Sequence, residues 1–155
     1  MWSEEVNRIV VEQARDFQRE QPDLEVVQDL AGQIRLRGKV GFCVHHEGVS
    51  YRDSYQVEIE ISCDYPDMVP TVKETGGRIP SGYHRFPDTD DLCLGAPVEV
   101  VRIFSQDRTL CNFVNSLLIP YLFSYTYFVQ HKKSPYGELS HGIEGIIEYY
   151  KEFYR

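Results

Sequence analysis

The chain has 155 residues, 42% of them hydrophobic, enough for one domain to bury a core without disulfide or metal staples. Lys and Arg total 16 against 24 Asp and Glu, a formal charge of −8 that repels phosphate backbones and argues against nucleic acid as a ligand. No apolar run approaches the length of a membrane span, and Trp2-Ser3-Glu4-Glu5 is unlike a secretory signal, so a cytoplasmic protein with no membrane partner is expected.

Ser3 can cap a first helix whose opening turn carries Glu4 and Glu5, acids suited to the positive end of the helix dipole. Val6, Ile9, Val10, Ala14 and Phe17 form one helical stripe. Gln21-Pro22 ends it, because proline disfavours helical geometry in the residue before it. Leu24 to Leu30 predicts a short strand. In the next one Ile34, Leu36, Val40, Phe42 and Val44 take even positions and Arg35, Arg37 and Lys39 odd ones, giving one core face and one wet face. Gly38 interrupts the apolar face and predicts a bulge or bend. Cys43 and His45 share the polar parity and are expected in solvent.

Past the Glu47-Gly48 turn, Tyr55, Val57, Ile59 and Ile61 alternate with Gln56, Glu58 and Glu60, the third strand of an antiparallel meander. Cys63 continues the buried parity and reads as a packing residue. Val69 to Thr75 is a fourth strand, bounded by Gly76-Gly77. Further on, Ser105 is the expected cap of the most regular helix, whose stripe runs from Leu110 through Phe113, Leu117, Leu118, Leu122 and Tyr125. Pro120 removes a backbone donor and predicts a kink near Ser116 to Pro120. Cys111 flanks that stripe and is expected buried and inert. Lys132 to Gly137 reads as a loop, and Leu139, Ile143, Ile146, Ile147, Tyr150 and Phe153 as a last helix. The whole, residues 1–155, predicts a single α+β domain: helix, four-stranded meander, an irregular segment, two C-terminal helices.

Cysteines at 43, 63, 93 and 111 show no CxxC pair and no secretory context, so reduced thiols are expected. Cys43, His45, His46 and Cys63 could be drawn as a metal site, but no pair has zinc-ligand spacing, and no metal is predicted. Chemistry concentrates between Tyr83 and Pro97. There Cys93 stands in Leu-Cys-Leu-Gly, preceded by His84 and by Asp88, Asp90 and Asp91. A thiolate can attack an activated carboxyl to give a thioester. A carboxylate can orient an incoming ammonium and accept its proton, making the three aspartates acceptor-orienting candidates. The plainer readings are a small buried hydrophobe for Cys93 and a solvated turn for the aspartates.

Two motifs in this order of elements resemble the ubiquitin-conjugating enzyme (UBC) superfamily. Tyr65-Pro66-Asp67-Met68-Val69-Pro70-Thr71-Val72 is similar to that family's Tyr-Pro-x-x-Pro-Pro-x-Val stretch, and His84 followed by Cys93-Leu94 is similar to its His-Pro-Asn tract ahead of an Ile-Cys-Leu nucleophile. Arg85-Phe86 stands where the family has Pro-Asn, the spacing is shorter by one, and no tryptophan follows the cysteine. The pattern, with Pro135 to Gly142, most resembles prokaryotic conjugating-enzyme relatives of the CBASS antiphage operons, encoded beside cGAS-like nucleotidyltransferases.

The resemblance implies a UBC-like fold over the whole chain and a thioester between Cys93 and the C-terminus of a partner protein, a cGAS-like nucleotidyltransferase. No GxxxxGK or GxGxxG loop is present, so no nucleotide cofactor is expected and activation falls to a separate activating enzyme. With the family's asparagine missing, His84 is the candidate oxyanion donor or general base, in competition with backbone amides near Cys93 and with a structural role for the histidine. His141 opens the last helix, where it either approaches the site or is merely exposed. The alternative is a catalytically inert UBC-like or RWD-like binding module, which predicts a packed, inaccessible Cys93.

Overall fold

The computed structural model describes residues 3–135. The expected last helix and His141 lie outside the described residues. In chain order the elements are α1 (Glu4–Phe17), β1 (Leu24–Gln28), β2 (Ile34–His46), β3 (Val49–Glu60), β4 (Thr71–Glu74), α2 (Pro97–Gln106), α3 (Leu110–Phe113), a π-helical turn (Val114–Leu118) and α4 (Ile119–His131). The strands form one sheet in the order β1-β2-β3-β4, every neighbour antiparallel. This is an α+β architecture, as the alternation of short strands and the flanking helical stripes require.

The register follows from the alternation. Leu36 pairs with Ile59, Val40 with Tyr55 and Ile59 with Val72 on the apolar face of the sheet. All of these are at most 1% exposed. A slip of one residue would turn that set into water, at about 1.5–3 kcal/mol for each large side chain, and this holds the register. Cys43 and His45 are exposed on the other face, as their parity predicts. Gly38 is neither bulge nor bend, because the ladder runs through it unbroken, Leu24 on one side and Val57 on the other. Its φ is +142°, and a Cβ there would lie 1.9 Å from the Asp23 carbonyl oxygen. Glycine is needed so that the start of β1 can approach β2.

α1 begins as expected, with Ser3 Oγ accepting from Val6 N at 3.1 Å. It ends at Phe17, before Gln21-Pro22, and the buried Gln21 side chain exchanges hydrogen bonds with both backbone groups of Gly41 at 2.9 and 3.0 Å. The core helix departs from the sequence reading at its start. Ser105 lies inside α2, a helix that the sequence reading left irregular, and Thr109 is the cap, its Oγ1 accepting from Asn112 N at 3.1 Å. Pro97 at the first helical position, with Val100, Ile103 and Phe104 at helical spacing, is the signal for α2.

The distortion predicted near Pro120 takes the form of the π turn. Pro120 has no amide to offer the turn before it, and the backbone widens so that Ile119 N donates to Val114 O. Two cysteines sit less deeply than expected. β3 stops at Glu60, so Cys63 falls in the following turn, half-buried, and Cys111 is half-buried with Asn115 Nδ2 donating to its Sγ at 3.3 Å.

Candidate active site

The segment after β4 folds back on itself as a short hairpin. Phe86 N donates to Asp91 O at 2.9 Å, Asp90 N donates to Phe86 O at 2.8 Å, and Arg85 bridges Leu92 in antiparallel fashion. One step further out, Cys93 N donates to His84 O at 2.7 Å, so the cysteine and the histidine stand opposite each other. Leu92 N donates to Val72 O at 2.8 Å and thereby lays the cysteine arm along β4. The turn depends on Asp90 at φ +64° and the arm on His84 at φ +43°, left-handed geometry that aspartate and histidine accept more readily than most residues. The His84 ring lies edge-on to Tyr83, centroids 4.7 Å apart.

Buried polar groups fasten this hairpin to the domain. The Arg85 side chain is 6% exposed and meets the fully buried Glu74 carboxylate at 3.2 Å. Arg85 also donates to Ile79 O at 2.8 Å and to Asp90 Oδ2 at 3.1 Å, while Glu74 accepts from Ile79 N at 2.9 Å. Glu74 Oε2 and Arg85 Nε are buried with no hydrogen bond among the described residues. The pair therefore carries a desolvation cost that its mutual attraction and the bonds to Ile79 and Asp90 offset, and removing one charge leaves the other buried without its counter-charge. From the opposite side, the Tyr121 hydroxyl of α4 donates to Tyr83 O at 2.9 Å and reaches His84 O at 3.4 Å. Burial pushes the Tyr121 hydroxyl well above the ordinary phenol range, so it serves as a donor.

Cys93 is a reduced thiol, 5% exposed, with Sγ 3.5 Å from Gly95 O. Burial pushes the thiol above its ordinary range. Its neighbour Leu92 joins the continuous apolar core, and Cys93 is buried as well. α2 begins just beyond, with Ala96 at the N-cap position providing no side-chain bond and Pro97 next. At the thiol, burial outweighs the opposing contact with the Gly95 backbone.

The three aspartates have separate fates. Asp91, its side chain 13% exposed, holds Lys73 Nζ at 2.8 Å; Asp90 is engaged with Arg85; Asp88 is exposed and makes no ion pair among the described residues. The hairpin thus brings His84 and Asp91 to the arm that carries Cys93. No group of three or more metal-binding side chains gathers among the described residues, so Cys43, His45, His46 and Cys63 do not converge. No described helix is long and apolar enough to cross a membrane.

Four neighbours of the thiol escaped the sequence reading: Lys73, Glu74, Arg85 and Tyr121. Lys73 and Glu74 sit in a strand too short to display its parity, and Tyr121 lies on an apolar stripe where hydropathy does not register its hydroxyl. Arg85 was visible only as a departure from Pro-Asn. No protein-family model matches the sequence, and no curated protein matches it.

Proposed function

We propose that the protein is a ubiquitin-conjugating-like transferase whose Cys93 accepts the C-terminal carboxyl of a partner protein as a thioester and passes it to an amine. The observation that carries this reading is the 2.7 Å bond from Cys93 N to His84 O, which pairs the two residues across the hairpin. Support for the UBC-like fold comes from the order of helix, antiparallel meander, thiol-bearing loop and C-terminal helices. The donor in this reading is the C-terminus of a cGAS-like nucleotidyltransferase in antiphage defence, activated by a separate enzyme. In the loading step the Cys93 thiolate attacks the activated carbonyl, the new C–S bond forms and the activating group leaves. His84 is positioned to donate to the oxyanion or to hold the loop that does so. A thioester walled off from water is protected from hydrolysis until an amine arrives.

The inert binding module is the second reading, and the 5% exposure of Cys93 favours it. Loading requires the loop around Gly95 to give way, whereas a docking module never opens it. Incubation with the activated donor separates the two. The transferase reading expects an adduct that thiol reductant releases, absent from Cys93→Ala and converted to a reductant-resistant ester in Cys93→Ser. An unchanged reductant-labile adduct on Cys93→Ala refutes the assignment.

A further inference from the structure

The aspartates were candidate clamps for an incoming amine, and one of them already holds an amine that belongs to the chain. Lys73 projects from β4, and its Nζ lies 2.8 Å from Asp91 Oδ1. Asp91 is two residues before Cys93, on the arm that Leu92 N pins to Val72 O at 2.8 Å, next to Lys73 in β4. Along such an arm side chains alternate, so Asp91 and Cys93 share the side opposite Leu92, which turns into the core. Two residues of extended backbone span roughly 7 Å, within the sweep of a lysine side chain. The Lys73 side chain is 36% exposed, and among the described lysines it is the one in a salt bridge.

We infer that Lys73 is an internal acceptor: the acyl group loaded on Cys93 passes to Lys73 Nζ, giving an isopeptide-linked self-conjugate. This rests on the thioester reading. The ion pair holds Lys73 as its ammonium, so the nitrogen first gives up a proton to water; the neutral amine then attacks the thioester carbonyl, and Asp91 accepts the proton it sheds as the new bond forms. The C–N bond forms as the C–S bond breaks, and the Cys93 thiolate leaves and recovers a proton. No oxidant, metal or further co-reactant enters the balance. Asp91 acts as the base that orients and deprotonates the amine. Its permanent engagement with Lys73 also means that an external amine must displace this one to reach the same carboxylate.

The test uses the full chain and a synthetic peptide ending in a glycine thioester, which loads a thiol by exchange without any activating enzyme. Intact mass is followed with and without reductant, and the modified residue is mapped after digestion. The expected course is a reductant-labile adduct on Cys93 that converts to a reductant-resistant adduct on Lys73. Lys73→Arg, which keeps the ion pair with Asp91, should retain the labile adduct and lose the conversion. Cys93→Ala should lose both. A labile adduct on Cys93 with Lys73 unmodified, or conversion that persists in Lys73→Arg, overturns the inference and leaves the thioester reading standing. Absence of any adduct on Cys93 fails the thioester reading, and the inference falls with it.

Discussion

The β2–β3 ladder and the Tyr83–Pro97 hairpin lie within one strand of each other and are stabilised in opposite ways. The ladder repeats one device, apolar pairs such as Leu36↔Ile59, Val40↔Tyr55 and Val44↔Tyr51, so no single contact decides it. The hairpin depends on a few unlike contacts: a buried ion pair between Arg85 and Glu74, a tyrosine hydroxyl on two carbonyls, and one backbone bond between Cys93 and His84. A repeated device tolerates substitution. Singular polar contacts do not, and they are what a loop needs if it is to hold a thiol away from water.

That contrast predicts unequal costs. Arg85→Ala removes the guanidinium from the buried Glu74 carboxyl, leaving it the Ile79 amide alone, and should cost about 3–5 kcal/mol in urea unfolding. Ile59→Val in the ladder should cost only about 1 kcal/mol. Equal losses would remove the distinction between the two regions.

Next in size is Tyr121→Phe, which takes the hydroxyl from the Tyr83 carbonyl and should cost about 1–2 kcal/mol. Alkylation of Cys93 under native conditions should accelerate in the same variant. A variant that loses stability without quickening that reaction would separate Tyr121 from the loop it is argued to fasten.

Asp53 sharpens the contrast where sheet, hairpin approach and α4 meet. Burial pushes its carboxyl upward, but hydrogen bonds from Arg78, Ser54 N and Thr126 outweigh it and hold the carboxyl at about 2. Arg78 grips both carboxylate oxygens at 2.9 Å and covers the Tyr55 ring at 4.0 Å. The folded group stays ionised where an unfolded aspartate takes up a proton. Its contribution, about 1 kcal/mol after solvent screening, is complete above about pH 5 and lost as pH falls from about 4 through 2. Acid titration of Asp53→Asn should lack that component of the stability profile. An unaltered profile would mean that Arg78 does not clamp the sheet edge.

The smallest effect concerns the thiol itself. Because burial raises Cys93, its alkylation should continue to rise with pH through the ordinary thiol range, about tenfold per unit, without a plateau below it. A plateau near neutral pH would show that the start of α2 outweighs burial.

What could be read from the sequence follows the same division. The parity of Ile34 to Val44 and of Tyr55 to Ile61 gave the sheet, its wet face and the exposure of Cys43, because burial in a ladder is periodic. Pro120 announced a distorted helix, though not that a π turn would absorb it. The hairpin was legible only as a place where chemistry gathers. Nothing periodic links Arg85 to Glu74 or Tyr121 to Tyr83, since those contacts depend on how β4 and α4 converge on the loop. α2 is faint in the sequence because it is short and buries Phe104 alone, so little beyond Pro97 at its start sets it apart from a loop. The likeness to Pro-Asn failed at Arg85 for a physical reason: that position holds a buried cation, with Glu74 as its partner.

Cys43 and Cys93 offer the most direct trial of the central claim, for one is exposed on the wet face of β2 and the other is enclosed by the hairpin. Exposed to a limiting amount of the glycine peptide thioester, a transferase should carry the acyl group on Cys93 in excess of Cys43, against the order that exposure alone dictates. Acylation of Cys43 with Cys93 silent until the protein is unfolded would contradict the account and leave the domain a binding module.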